Sequence, residues 1–219
     1  MVFAKRTLTV AFLALSLAGC AAKTADQSQY SGFLTGYADV KPVKTATGHE
    51  TLRWIAPDFQ ANRYTSLYFA PVVYYPRAMP NERVSAATLE QIRSYTESRL
   101  KSALAARKKL TDKPQAGSLI VKTAITAVTA ENKDLQFYEV VPVAAVLAGT
   151  MAATGHRSQN AELFIEAEAI DAASGKPVIK VIRKGYGKAV ANGTAPITAA
   201  DVESAIDDMV KDVAAFSTQ

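Results

Sequence analysis

The sequence predicts one α+β domain over residues 32–219, with a mainly antiparallel sheet of about four strands and two helices packed on one face. Two kinds of hydrophobic periodicity lead to this fold class. Segments 118–128 and 161–171 alternate apolar and polar residues as half-buried strands do, whereas 86–108 and 199–216 carry apolar residues at helical spacing. In chain order the elements run strand, helix, strand, strand, strand, helix, an order typical of a sheet covered by helices on one face.

Ahead of the domain, residues 1–19 have the features of a secretory signal peptide. Lys5 and Arg6 precede an apolar run from Leu8 to Ala18. This run is well short of the roughly 20 apolar residues that a membrane-spanning helix needs. We therefore expect the segment to direct export and then to be removed.

The residues Leu17-Ala18-Gly19-Cys20 resemble a bacterial lipobox. The resemblance implies that Cys20 receives a diacylglycerol and becomes the first residue after cleavage, so that a lipid anchor holds the protein on a membrane. The next residue is Ala21 and not an aspartate. Under the sorting rule of Gram-negative lipoproteins, this implies the outer membrane, with the domain facing the periplasm.

Composition agrees with an exported domain on a short tether. Residues 20–31 combine the lipidated cysteine with a small, polar stretch that lacks hydrophobic periodicity, which predicts a flexible tether. Cys20 is the only cysteine, so we expect no internal disulfide and stability that comes from packing. The formal net charge of +5 falls to +3 without Lys5 and Arg6, which argues little for a nucleic-acid partner.

The first strand signals lie at 52–57 and 63–76, which are rich in aromatic and β-branched residues. A Ser-Gly turn at 174–175 joins 161–171 to a hairpin partner at 177–190. Before them, "SGFLTGYADVKP" at residues 31–42 lacks the helix and lysine that a phosphate-binding loop requires. We expect it to be a packed loop whose aromatic residues close one end of the core.

Both predicted helices carry polar signals at their ends. The first ends in Arg107, Lys108 and Lys109, which can complement the partial negative charge at a helix C-terminus or, alternatively, contact lipid phosphate or an acidic envelope polymer. The second begins after Thr198, and Asp201 three residues later makes a variant of the capping box.

Three glutamates, Glu162, Glu166 and Glu168, fall on the polar side of one strand. Closely spaced carboxylates can divide acid and base roles in catalysis. The simpler interpretation is a solvent-facing strand with cross-strand charge pairs, because a register with Asp171 opposite Pro177 places Glu168 opposite Lys180. We favour the structural interpretation.

The segment 140–154 contains no charged residue. It is too short to cross a bilayer as a straight helix. It could be a packed helix or loop over the sheet, a surface for a partner or for self-association, or a shallow membrane contact. Its candidate interaction residues are Val143, Val146, Leu147 and Met151.

Residues typical of catalysis, cofactor binding or metal binding are not apparent. His49 and His156 are the only histidines, and neither has a metal-type spacing to other ligands. The sequence lacks a Gly-x-Ser-x-Gly motif, a dinucleotide loop and a Walker loop. We therefore assign no catalytic residue, cofactor or metal ligand.

The stretches "SGFLTGYADVKP", "LRWIAPDFQANRYTSLYFAPVVYYP", "SLIVKTAITAV" and "AELFIEAEAIDAASGKPV", in this order behind a lipobox, resemble a bacterial lipoprotein family, domain of unknown function 3313. The resemblance covers roughly residues 30–216. It implies a shared fold and an envelope location, and it transfers no activity.

Two function classes remain open. The preferred one is a non-enzymatic envelope lipoprotein that binds a protein or polymer partner or assists envelope assembly. The alternative is a periplasmic enzyme or small-ligand-binding protein with a cleft near Trp54, Tyr64 and the glutamate strand. A deep pocket would favour the alternative, and a flat or grooved surface would favour a binding module.

Overall fold

The computed structural model describes residues 24–132, 159–191 and 193–216. In this part of the chain, the regular structure consists of one sheet, two α-helices and two short 3₁₀ helices, Gln27–Gln29 and Ala61–Arg63. The strands are β1 (Lys41–Lys44), β2 (Glu50–Ile55), β3 (Ser66–Phe69), β4 (Val73–Tyr74), β5 (Lys109–Leu110), β6 (Ser118–Asn132), β7 (Gln159–Asp171) and β8 (Pro177–Val190). The α-helices are α1 (Ala86–Arg107) and α2 (Ala199–Ala214).

The described strands form one mixed sheet in the order β1-β2-β8-β7-β6-β3-β5, with β4 also paired to β6. The five neighbouring strands β1, β2, β8, β7 and β6 pair antiparallel to one another. Strands β3 and β4 lie parallel to β6, and β5 lies parallel to β3. The α+β class is therefore confirmed, but the prediction of about four mainly antiparallel strands is wrong. The additional strands are short and border the long central ones.

The three long strands β6, β7 and β8 form the centre of the sheet. The predicted pairing of Glu168 with Lys180 is confirmed, but the register shifts near the turn, so that Ile170 and not Asp171 lies opposite Pro177. A β-bulge between Ile125 and Ala127 interrupts the pairing of β6 with β7. Such a bulge re-aims the side chains that follow it.

Both helices pack on the same face of the sheet. α1 buries Leu89, Ile92 and Leu100, and α2 buries Val202 and Ile206. These side chains belong to one apolar cluster with the side chains of β6 and β7 that face the helices. The predicted capping box of α2 is confirmed, since the Asp201 carboxylate accepts the backbone N–H of Thr198 at 2.8 Å.

Two glycines of β8 allow α2 to lie close to the sheet. A Cβ at Gly187 would stand 1.9 Å from the backbone oxygen of Asp201, and a Cβ at Gly185 would stand 2.5 Å from the terminal methyl of Met209. The backbone of α2 is thus nearly in contact with β8 where its first turn begins.

The opposite face of the sheet is covered by residues 24–40, which we call the N-terminal segment. Ala25 and Leu34 of this segment are buried against Leu52, Phe164 and Ile182 of the sheet. The sequence predicts that residues 31–42 close one end of the core. In the structure residues 31–40 pack on this face of the sheet, and Lys41 and Pro42 begin β1. At the described end of the predicted tether, Ala25 is buried and Tyr30 packs on the same cluster, whereas 26–28 are exposed.

Several sequence predictions fall outside the described residues. These are the signal peptide, Cys20, His156 and the uncharged segment 140–154 with Val143, Val146, Leu147 and Met151. Of the helices that the structure does describe, none combines the length and apolar character needed to cross a membrane.

Candidate functional site

The three glutamates of β7 are buried and do not face solvent. The exposed fractions of Glu162, Glu166 and Glu168 are 2%, 0% and 4%. The prediction of a solvent-facing carboxylate strand is therefore wrong. The alternation of apolar and polar residues along β7 correctly predicts that the three glutamates share one face of the sheet. The N-terminal segment covers that face.

Glu166 is the main attachment point of the N-terminal segment. Its Oε1 accepts the backbone N–H of Ser31 at 2.9 Å, and its Oε2 accepts the Ser31 hydroxyl at 2.9 Å and the Tyr37 hydroxyl at 2.6 Å. Burial, together with this donation to a carboxylate, raises the pKa of Tyr37 to about 12. The Tyr37 ring also stacks on Tyr30, with 4.6 Å between ring centroids.

The predicted cross-strand pair holds the same segment from its other end. Glu168 accepts the backbone N–H of Thr35 at 3.1 Å and also the Thr35 hydroxyl. Lys180 donates to the backbone oxygens of Thr35 and Gly36 at 2.9 and 3.0 Å and lies 5.1 Å from the centroid of the Trp54 ring. Each of these charged side chains is thus used to bind a neighbouring part of the same chain.

Along the same face, Lys184 forms an ion pair with Glu162 at 3.1 Å, and both side chains are buried. A substrate could reach the carboxylates of Glu166 and Glu168 only by displacing the N-terminal segment. The geometry therefore favours the structural interpretation of the glutamates over the catalytic one. Of the residues named for the alternative cleft, Trp54 lies near Lys180, whereas Tyr64 stacks on Phe59 in a separate apolar cluster, so these two aromatic residues do not share one site.

A ligand-sized cleft lies on the opposite, helix-covered face of the sheet. Its volume is about 470 Å³, within the roughly 300–1,000 Å³ of small-molecule sites. Sheet residues Val121, Ala167 and Val181 form its floor, and Leu104, Val213 and Phe216 belong to its helical walls. The floor residues are only partly buried although they lie on the three central strands. No periodicity or motif in the sequence indicates this cleft.

The cleft lies at the C-terminal ends of both helices, where it is lined by basic side chains. Arg107 donates to the backbone oxygen of Phe216 at 2.6 Å and to that of Ala214, so it satisfies the end of α2. The guanidinium of Arg53 lies 5.3 Å from the centroid of the Phe216 ring. The predicted interaction of Arg107 with a helix C-terminus is thus present, but the helix is α2 and not α1.

Lys44 and Lys108 also line the cleft. Lys44 is exposed and Lys108 is partly exposed. Within the described residues, neither ammonium group has a hydrogen-bond or ion-pair partner. Their charges are therefore available to a ligand at the rim.

A polar cluster joins the β1–β2 turn to α2 beside the cleft. Arg183 donates to Asp212 at 3.1 Å, and the Thr47 hydroxyl donates to the same carboxylate. Burial would raise the pKa of Asp212, but hydrogen bonds from the Thr45 and Thr47 side chains, together with the nearby charges of Arg183 and His49, lower it below its usual value. The cluster thus stabilises Asp212 as a carboxylate.

This cluster contains a threonine, a histidine and an aspartate, but it lacks the order of a nucleophilic triad. The Thr47 hydroxyl and the Asp212 carboxylate approach the same ring nitrogen, Nδ1 of His49, at 2.9 and 3.5 Å. A triad requires the nucleophile and the carboxylate on opposite ring nitrogens, each within hydrogen-bond distance. The carboxylate nearest Nε2 of His49 is that of Asp208, and its Oδ2 lies 3.8 Å away, too far for a hydrogen bond. Among the described residues, no group of three or more His, Cys, Asp or Glu side chains is placed to hold a metal ion.

The described residues thus define an α+β domain. One face of its sheet carries an apolar cleft with basic residues at its rim, and the N-terminal segment covers the buried charged residues of the other face. The chain belongs to the family described as protein of unknown function (DUF3313), whose model matches residues 29–213. The resemblance found in the sequence is therefore confirmed.

Among its relatives is the protein named uncharacterized lipoprotein YdcL of Escherichia coli (strain K12). It is 45% identical over 214 residues, which cover 98% of this chain and 96% of the relative. A protein of the same name from Escherichia coli O157:H7 matches to the same extent.

Solved structures resemble the chain only weakly. A PelC dodecamer from Paraburkholderia phytofirmans has a TM-score of 0.38 at 8% identity, covering 77% of this chain and 98% of that one. A minor lipoprotein from Acinetobacter baumannii has a TM-score of 0.32 at 13% identity, covering 69% and 90%.

Proposed function

We propose that the protein is a lipid-anchored envelope lipoprotein whose domain binds an apolar small molecule without catalysing a reaction. The cleft of about 470 Å³ between the sheet and the helix C-termini is the observation that supports this proposal most directly. Its floor side chains Val121, Ala167 and Val181 are apolar and partly exposed. Such a surface gains free energy when a hydrocarbon group displaces water from it.

The anchor part of the proposal rests on the lipobox and on the family. The relative from Escherichia coli is named a lipoprotein, and the lipobox of this chain places Cys20 where the acylated residue belongs. The outer membrane and a periplasm-facing domain follow from Ala21 under the sorting rule. A lipid-anchored protein beside a bilayer would find long-chain molecules within reach of an apolar cleft.

Lipidation is tested by replacing the single thiol. We expect Cys20→Ala to abolish incorporation of labelled palmitate and to leave an unprocessed precursor. Ser16→Ala, a change within the signal but outside the lipobox, is the control and should be labelled like the wild type. Undiminished labelling of Cys20→Ala would refute the anchor.

Ligand binding is tested with a photoactivatable hexadecanol analogue added to membranes from cells that produce the full-length protein. We expect the label to map to cleft peptides that contain Ala167 or Val181, and excess unlabelled hexadecanol to remove it. Ala167→Trp fills the cleft floor and should abolish the label. Since this variant could misfold, Val213→Trp on α2 provides a second, independent obstruction. Label that is absent from these peptides would refute the site.

A protein or envelope-polymer partner remains a further proposal for the segment 140–154. Its uncharged sequence, with Val146 and Leu147 at the centre, supports a surface that another molecule covers. Polar replacements of Val146 and Leu147 should leave the melting temperature unchanged and abolish capture of the partner. A large loss of stability would instead show that the segment belongs to the core.

A further inference from the structure

We propose that the ligand of the cleft is a long-chain carboxylate, which places its hydrocarbon chain in the cleft and its anionic head between Lys44 and Lys108. This inference rests on the proposed function, because it specifies the chemistry of the molecule that the same cleft takes. It depends on two further observations, the charge of the rim and the volume of the cavity.

The charge of the rim favours an anion. Lys44, Arg53, Arg107, Lys108 and Arg183 line the cleft. Two acidic residues also line it: Asp212 is paired with Arg183 at 3.1 Å, and the Glu168 carboxylate is bound by Thr35 of the N-terminal segment. The basic charges at Lys44 and Lys108 have no counter-ion among the described residues. An anionic head would supply that counter-charge, whereas a neutral head would leave it unmatched.

The basic side chains that line the cleft differ in whether they contact other parts of the protein. Arg107 is held by the last carbonyl groups of α2, and Arg53 lies over the Phe216 ring. These two side chains shape the wall and neutralise the negative end of the helix. Lys44 and Lys108 lack such a structural use and are positioned on opposite chain elements, at the end of β1 and directly after α1.

The volume of the cleft admits a hydrocarbon chain. At about 470 Å³ the cleft lies within the roughly 300–1,000 Å³ range of sites for small molecules. A long acyl chain can therefore lie over the apolar floor while its carboxylate head stays at the rim.

The test compares two photoactivatable probes of equal chain length, a hexadecanoic acid and the hexadecanol used above, on the full-length protein in membranes. We expect the acid to label the cleft peptides at least three-fold more strongly than the alcohol. The double variant K44Q/K108Q should remove this preference without reducing labelling by the alcohol. K41Q/K101Q, which removes two exposed charges elsewhere, is the matched control and should keep the preference.

Each other outcome has a distinct meaning. Equal labelling by both probes, or a preference that survives K44Q/K108Q, overturns the carboxylate and leaves the apolar cleft as a binding site. Failure of both probes to label the cleft overturns the inference and the proposed function together. A cleft label that a diacyl phosphatidylglycerol displaces more efficiently than palmitate overturns the assignment of a long-chain carboxylate.

Discussion

The replacement Glu166→Gln tests the claim that buried glutamates fasten the N-terminal segment to the sheet. Glu166 is fully buried and accepts three hydrogen bonds, two from Ser31 and one from Tyr37. Glutamine has nearly the same shape, but one carboxylate oxygen becomes an NH₂ group that cannot accept a hydrogen bond. The change therefore removes charge and acceptors while it leaves the packing volume almost unchanged.

The expected loss of stability follows from these contacts. Hydrogen bonds to charged groups are worth about 1.5–3 kcal/mol each. Because glutamine retains one acceptor oxygen, we expect Glu166→Gln to lower the free energy of unfolding by about 3 kcal/mol. For a domain of this size, that corresponds to a decrease of roughly 6–12 °C in melting temperature.

Thermal unfolding followed by circular dichroism provides the assay, and limited proteolysis reports whether the N-terminal segment is released first. Glu82→Gln, at an exposed glutamate before α1, is the matched control and should change stability by less than about 0.5 kcal/mol. Tyr37→Phe removes one of the same hydrogen bonds, so its effect should not add fully to that of Glu166→Gln. A Glu166→Gln variant that melts like the wild type and keeps the segment protected would refute this reasoning.

Two further predictions concern close packing and pH. Gly187→Ala should destabilise the fold by at least about 2 kcal/mol, because its Cβ would overlap the α2 backbone. Gly185→Ala should destabilise it less, because the flexible Met209 side chain can move. Equal melting temperatures for the two variants would contradict this difference. The pKa of Asp212 is lowered in the folded protein, so its stabilising contribution is present above its ordinary value of 3.8 and lost as the pH falls through its folded value. Asp212→Asn should therefore flatten the acid limb of a plot of melting temperature against pH, and an unchanged limb would show that other groups carry it.

The long elements could be predicted from the sequence because their periodicity is strong. The bounds of α1, α2 and the β7–β8 hairpin agree with expectation within a few residues. The strands β1, β4 and β5 contain only two to four residues. Such strands are too short to show alternation, and their pairing is decided by the neighbouring edge of the sheet.

The burial of the glutamates could not be read from alternation alone. A period of two shows which side chains share a face, but it does not show whether another part of the chain covers that face. The sequence did contain one indication of this burial. The segment 31–42, which is predicted to pack, carries the hydroxyl groups of Ser31, Thr35 and Tyr37, and these can donate hydrogen bonds to carboxylates. Carboxylates on a covered face need such donors.

The cleft and its rim escaped prediction for a different reason. Leu104, Val213 and Phe216 continue the apolar stripes of their helices, and such stripes normally indicate core. Whether the C-terminal ends of α1 and α2 cover the sheet depends on how the two helices are positioned relative to each other and to the sheet, which the apolar stripes do not show. Likewise, His49 and Asp212 meet across a separation of 163 residues, which no local pattern encodes.

According to the proposed function, the cleft between the sheet and the helix C-termini holds a small apolar ligand in the cell. The most direct measurement introduces a small diazirine-bearing amino acid at position 213 in the cleft wall or, as the control, at position 43 on β1, in living cells that produce the full-length protein. After illumination, mass spectrometry of the purified protein should show a lipid-sized adduct at position 213 and none at position 43. An unmodified position 213, or a protein crosslinked there in place of a lipid, would show that the cleft does not hold such a ligand.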